Sequence, residues 1–234
     1  MQSKDKTKKS TKSKLPAKPA KKLRALAEAV SSRLTELYPD AACALQYEGD
    51  PWRLFVMARL SAQCTDKRVN EISPALFAEI PTPQAAAQIE LSRLEELIRS
   101  CGLYREKAKS IRESARILSD RYGGWIPREE EELLALPGVG RKIANLLRGD
   151  LYGCGGVVCD THCIRVCGRL GFYPEDIRDP LKVERILNPL IPEPDRSAFC
   201  HRIVLVGREH CPARGADCSV CPLSDLCTHA ATHT

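Results

Sequence analysis

No run of apolar residues in this chain approaches the roughly 20 needed to span a bilayer, although 43% of its 234 residues are hydrophobic. No apolar stretch follows the charged N-terminus either, so a secretory signal is not expected. These absences point to a soluble, cytoplasmic protein with no membrane partner. Sustained alternation of apolar and polar residues is also missing, and only Val157-Val158 hints at an extended piece. Folds built on half-buried strands are therefore not expected. No internal repeat stands out, no feature signals oligomerisation, and a monomer is the expectation. No Pro- or Ser-rich linker divides the chain, so any second domain must be assembled from segments distant in sequence.

Charge is present but unevenly placed. The formal net charge is +6, yet residues 1–24 hold nine Lys, one Arg and one Asp, leaving the remainder at −3. Residues 1–22 read as a disordered basic tail. Such a tail can raise affinity for nucleic acid by releasing counterions from phosphate. Its cations are nearly all Lys and no amphipathic helix precedes Leu23, which argues against a mitochondrial transit peptide.

Beyond the tail the chain reads as helix after helix. Leu23, Leu26, Val30, Leu34 and Leu37 follow helical spacing. Asp50-Pro51, Thr82-Pro83 and Asp179-Pro180 each combine an N-cap with a proline suited to the first turn. Ser92 with Glu95 has the capping-box pattern, and Asp195 is placed to open another helix. Gly102, Gly123-Gly124 and Gly153 to Gly156 read as stops or turns. The expected fold is all-α, with ten or more helices.

One segment, EEELLALPGVGRKIANLLRG, joins two helical stretches through a tight turn. Gly138 and Gly140 are expected to adopt backbone angles closed to other residues and to let a phosphate approach the main chain around Val139. Free N–H groups at the start of the second helix then make an anion site. Arg141 and Lys142 sit where the helix dipole disfavours cations, and a bound DNA phosphate would reverse that sign. Lys142 suggests more than phosphate contact. An unperturbed lysine has a pKa of about 10.4, so roughly one in a thousand is a free amine near neutral pH. A neighbouring cation, a helix N-terminus and partial burial would each release more of it for nucleophilic attack. Asp160 follows eighteen residues later, just before a helix beginning at Thr161. It can cap that helix with one carboxylate oxygen and face a ligand with the other.

Twelve cysteines are many for an intracellular chain, where disulfides are not expected. Cys211, Cys218, Cys221 and Cys227 stand in a C-x6-C-x2-C-x5-C loop of seventeen residues. Four such thiolates suit zinc or an iron–sulfur cluster. The single short pair and uneven gaps fit the larger cluster better than two zinc knuckles. Cys159, Cys163 and Cys167 recur every four residues and read as small buried hydrophobes on one helix face. His162, His201 and His210 show no ligand spacing.

LPGVGRK, Asp160 at its spacing and the four-cysteine loop together resemble the endonuclease III family of DNA glycosylases. So do LSAQCTD at Leu60 to Asp66 and CGLYREKA at Cys101 to Ala108. The resemblance runs from about Leu23 to Cys227. It implies two helical domains flanking a DNA cleft: a six-helix domain at 44–154 ending in a helix-hairpin-helix, and a cluster domain formed by 23–43 with 155–234. It implies a bifunctional glycosylase and abasic-site lyase of base excision repair, acting on oxidised pyrimidines in damaged double-stranded DNA. Lys142 would attack the sugar, Asp160 would assist, and β-elimination would cut 3′ to the abasic site. Gly138, Val139, Gly140 and Arg141 would hold DNA, with Gln63 and Leu103 filling and wedging the base stack. Cys211, Cys218, Cys221 and Cys227 would hold a [4Fe–4S] cluster. In a bacterium such an enzyme would be nucleoid-associated. Two alternatives remain at this point: a monofunctional adenine-mismatch-type glycosylase, disfavoured by Lys142 and by an end at Thr234, and a non-catalytic DNA-binding iron–sulfur protein. Ile143 stands where the family commonly has Thr, and the PARGAD loop is less basic than usual.

Overall fold

A computed structural model describes residues 20–233; the expected basic tail lies almost entirely outside them. Among the described residues there are twelve α-helices and no strand. None of these helices is long and apolar enough to cross a membrane.

Local chemistry explains most helix starts. Asp50 accepts the backbone N–H groups of Trp52 and Arg53 and opens α2 (Pro51–Leu60) after α1 (Lys21–Leu37). Thr65 caps α3 (Asp66–Glu79), and Thr82 caps α4 (Pro83–Gln88). Inside α3, Pro74 has no N–H to offer the Asn70 carbonyl, and the Ser73 hydroxyl donates to that carbonyl instead at 2.9 Å. The capping box at Ser92 does not form. Helix α5 (Leu91–Leu97) begins two residues earlier than a Ser92 cap would start it, with Glu90 at the N-cap and no side-chain cap bond. The Glu90 carbonyl already accepts the N–H groups of Arg93 and Leu94, which draws Ser92 inside the helix.

Then follow α6 (Tyr104–Tyr122), the short α7 (Glu130–Leu134) and α8 (Arg141–Tyr152). Residues 44–154 thus contain seven α segments rather than six, because extended backbone at Ile89 and Glu90 separates α4 from α5. Asp160 caps α9 (Thr161–Leu170) and Asp179 caps α10 (Pro180–Leu187). Asp195 precedes α11 (Arg196–Glu209) but ends a 3₁₀ turn with helical angles, and its side chain makes no cap bond. Helix α12 (Ala230–His233) closes the described chain.

The buried side chains separate into two cores. One is filled from α2 to α8 by residues such as Leu54, Phe55, Leu76, Ile111, Leu118 and Leu147. The other unites Val30 and Leu34 of α1 with Val166, Val183, Phe199 and Ile203 from the C-terminal helices. Each fully buried Leu, Ile or Phe contributes about 1.5–3 kcal/mol relative to exposure. Cys163 and Cys167 lie fully inside the second core and Cys159 nearly so, as small apolar fillers. Helix α8 also packs on α11. A Cβ added at Gly149 would stand 3.0 Å from the Ser197 Cβ, so glycine permits that close crossing. The seam between the cores is where the chemistry-bearing residues meet.

Candidate active site

The turn before α8 is tight for an identifiable reason. Gly138 has φ +79, and a Cβ there would collide with the Arg59 side chain, whose Nε donates to Ser110 Oγ at 2.9 Å. Gly140 departs from expectation: its φ of −97 is open to any residue, and a Cβ would meet nothing within 4 Å. Its value is the open space in front of the backbone. Val139 is buried and anchors the turn in the first core. Helix α8 has no acidic residue in its first turn and no side-chain cap. Its leading N–H groups are therefore left for an anion.

Arg141 and Lys142 diverge at once. The Arg141 guanidinium donates to Glu184 Oε2 at 2.6 Å and pairs with Glu130 at 3.1 Å. Glu184 is only 5% exposed and also accepts Asn145 Nδ2 at 3.1 Å. The Glu184 hydrogen bond raises the Arg141 pKa further above its ordinary value. Asn145 in turn accepts the Gly156 N–H at 3.0 Å. Arg141 is thus committed to a network joining the hairpin helix to α10. Lys142 is exposed and makes no ion pair or hydrogen bond among the described residues.

Lys142 and Asp160 line one cavity of about 100 Å³ at the seam, with Leu45, Leu146, Val158 and Arg208 among its walls. Asp160 Oδ1 accepts the Cys163 N–H at 2.7 Å, the cap bond expected of it. Arg208 pairs with Asp66 at 2.6 Å and fastens α11 to the start of α3 at the rim. A larger cleft of about 460 Å³, between α1 and α11, holds none of the nominated residues. Size alone does not select the site.

Gln63 and Leu103 share a signature that composition could not reveal. Both are exposed, and both have left-handed backbone, φ +54 and φ +57. Non-glycine residues rarely accept that conformation, which costs about 1–3 kcal/mol. The two loops touch, since a Cβ on Gly102 would stand 3.4 Å from the Gln63 carbonyl. Behind them lies Lys107, wholly buried, its amine donating to the Leu60 carbonyl at 2.8 Å. Burial pushes its pKa below the usual lysine range. Neither Lys107 nor Glu184 was expected to matter. A charged residue on an otherwise apolar helix face, as Lys107 is on α6, was the available signal.

The four loop cysteines are all half-buried free thiols. Burial first, then the proximity of the other loop cysteines, holds Cys221 and Cys227 above the ordinary thiol range. Arg169 donates to Cys211 Sγ at 3.1 Å and to the Pro212 carbonyl at 2.9 Å, and Arg33 bonds the Pro222 carbonyl at 2.7 Å. No three of the four sulfurs lie within 4.8 Å of one another. Zinc, with Zn–S bonds of about 2.3 Å, would need sulfurs about 3.8 Å apart. Four thiols gathered in one loop are a donor set suited to a metal centre.

Comparison with known proteins decides the family. Residues 56–193 match the model of the HhH-GPD superfamily of base excision DNA repair proteins. Endonuclease III of Synechocystis sp. is 44% identical over 198 residues, covering 84% of this chain and 89% of that protein. Endonuclease III of Bacillus subtilis is 39% identical over 197 residues, covering 83% and 88%. The chain belongs to the endonuclease III family. A solved non-covalent endonuclease III–DNA complex superposes with a TM-score of 0.83 at 38% identity, covering 90% of this chain and 97% of that one. A trapped covalent endonuclease III–DNA intermediate gives the same TM-score and identity. A thermostable thymine-DNA glycosylase, at 20% identity and a TM-score of 0.81, shares the fold. The all-helical endonuclease III architecture therefore matches the sequence expectation.

Proposed function

We propose that this chain is a bifunctional DNA glycosylase and abasic-site lyase of base excision repair, acting on oxidised pyrimidines in duplex DNA. The observation that carries this reading is the meeting of Lys142 and Asp160 in one cavity at the seam of the two cores. Covalent trapping of an endonuclease III relative on DNA supports it.

The Lys142 amine has no intramolecular partner to displace before it reaches a sugar. In the proposed reaction its nitrogen bonds to C1′ of an extruded nucleotide as the glycosidic bond breaks, and the leaving base takes up a proton. Ring opening gives a C1′ imine. Loss of a C2′ proton then expels the 3′ phosphate, and water releases the lysine. Asp160 stabilises positive charge at the sugar and relays protons. Its cap bond to Cys163 fixes its position. Gln63 and Leu103, exposed on adjoining strained loops, would fill the gap in the stack. The open backbone at Gly140 and the uncapped start of α8 would hold a phosphate.

The two buried cores support a division into a hairpin unit at about 44–154 and a second unit made of 23–43 with 155–234. Cys211, Cys218, Cys221 and Cys227 would hold a [4Fe–4S] cluster, with Arg169 beside one sulfur. When bound, the cluster would supply a rigid anchor for a DNA-facing loop. The enzyme would act as a monomer on chromosomal DNA, which in a bacterial cell means the nucleoid.

Borohydride reduction on abasic-site duplex tests the mechanism. The wild type should be trapped covalently, while Lys142→Ala should give no adduct. A wild-type protein that cleaves the lesion without any trapped species would overturn the lyase assignment.

A further inference from the structure

Cys43, Asp150 and His201 converge beside the catalytic cavity from three distant segments: the loop after α1, the end of α8, and α11. One ligand atom from each lies within 4.8 Å of the others. Cys43 and His201 line the same cavity as Lys142, and Asp150 stands behind them. None has a part in the lysine chemistry.

The cluster is unsatisfied as it stands. His201 Nε2 lies 2.9 Å from Asp150 Oδ1, and Ser197 Oγ hydrogen-bonds the same oxygen. Asp150 Oδ2 is buried without any hydrogen-bond partner, on a side chain only 5% exposed. Native proteins rarely leave such an atom empty. The Cys43 thiol stands beside it in the same group. Two acidic groups and an imidazole have been packed together with one acceptor left over. A dication held between the three side chains would take the free carboxylate oxygen.

We propose that Cys43, Asp150 and His201 form a zinc site whose fourth position opens toward the cavity. A thiolate, an imidazole and a carboxylate suit zinc better than magnesium or calcium, which prefer oxygen alone. Zinc with bonds of about 2.0–2.3 Å places its ligands roughly 3.3–3.8 Å apart. The three ligand atoms already lie within 4.8 Å of one another, so the side chains need to close in by at most about 1.5 Å. His201 would exchange the Asp150 oxygen for the metal. Binding releases the Cys43 proton, and the Zn²⁺, thiolate and carboxylate charges cancel. The ion would tie the loop after α1 and α11 to the hairpin helix, clamping the seam between the cores. This inference is independent of the lyase reading.

The test uses the purified full-length protein with its cysteine loop loaded. Iron and zinc are counted by mass spectrometry after zinc titration and desalting, and zinc-edge X-ray absorption identifies the ligands. One zinc per chain is expected, with one sulfur at about 2.3 Å and N/O ligands near 2.0 Å. Cys43→Ser and His201→Gln should each weaken zinc binding by at least about tenfold, with iron content and visible absorption unchanged. Cys43→Ser is the milder change and guards against misfolding in the other variant. No zinc bound, zinc unaffected by Cys43→Ser, or a four-sulfur shell would each overturn the proposal. Borohydride trapping on Lys142 reads the other assignment separately.

Discussion

Arg141 provides the sharpest test of how the hairpin is held. As a phosphate ligand it would contribute to DNA affinity and little to stability. As a clasp on Glu184 it would do the reverse, and the structure favours the clasp. Glu184→Gln preserves the shape but turns one acceptor into a donor. Either Arg141 Nε or Asn145 Nδ2 then faces an N–H group and goes unpaired. A hydrogen bond to a charged group contributes about 1.5–3 kcal/mol. Arg141 is nearly half exposed, so solvent screening reduces its share to about 1–2 kcal/mol. The expected loss for Glu184→Gln is about 2 kcal/mol, and for Arg141→Met about 1–2 kcal/mol. Because the two side chains share one contact, the double variant should cost less than the sum, with a coupling of about 1–2 kcal/mol.

Urea midpoints at constant slope measure these values. DNA binding across a salt series supplies an independent reading. Arg141→Met should leave the slope of log K against log[salt] unchanged, while Glu184→Gln should steepen it by up to about 0.9 by freeing a guanidinium. Stabilities additive within about 0.5 kcal/mol, together with a slope reduced by about 0.9 in Arg141→Met, would refute the clasp.

Gly138→Ala and Gly140→Ala should separate fold from binding. The first meets a positive φ and the Arg59 side chain and should lose about 2 kcal/mol or more in urea titration. The second should keep its stability but bind duplex DNA more weakly, because its methyl group fills the space where phosphate would approach. Leu103→Gly relieves a φ of +57 on a side chain 62% exposed. It should melt no lower than the wild type while losing at least about tenfold in lesion excision (roughly 1.4 kcal/mol). Cys101 is buried, and its thiol is raised by burial, then by Cys64, to about 11. The unfolded thiol ionises first as pH rises, so this stability is present below about pH 9 and lost upward through the folded value. Cys101→Ala should flatten that alkaline fall in pH-dependent urea midpoints.

Short-range chemistry was the readable part of this chain. Asp50, Thr82, Asp160 and Asp179 announced their helices because a cap needs only an acceptor two or three residues from its donor. The apolar spacing of α1 and the turn at LPGVG were legible on the same grounds. Ser92 misled by the same logic, since the helix starts two residues earlier on the backbone carbonyl of Glu90, with no side-chain cap. The partnership of Arg141 with Glu184 spans forty-three positions, and no local pattern encodes it. The bond from Lys107 to Leu60 spans forty-seven. His201 looked unpaired because Asp150 arrives only when α8 crosses α11 at Gly149, and Cys43 comes from the distant loop after α1. Left-handed backbone at Gln63 and Leu103 was equally invisible, because neither residue type prefers it.

Two helix N-termini face the cavity, and they are treated differently. At α9 the Asp160 carboxylate accepts the Cys163 N–H of the first turn and is fixed by it. At α8 there is no acidic side chain and no cap, so the partial positive charge of the helix stays uncompensated within the protein. Placing two lysine-like charges there would deepen the imbalance, and Glu184 removes one of them by holding Arg141 back from the turn. What remains is an open backbone at Gly140, a free set of N–H donors and a single uncommitted amine on Lys142. That arrangement is incomplete until an anion arrives, and a DNA phosphate at the turn would complete it with the amine directed at the neighbouring sugar. The cost of an uncapped helix would then be borne by the free enzyme and recovered on the duplex, so that under the proposed mechanism binding would favour the state in which Lys142 reacts.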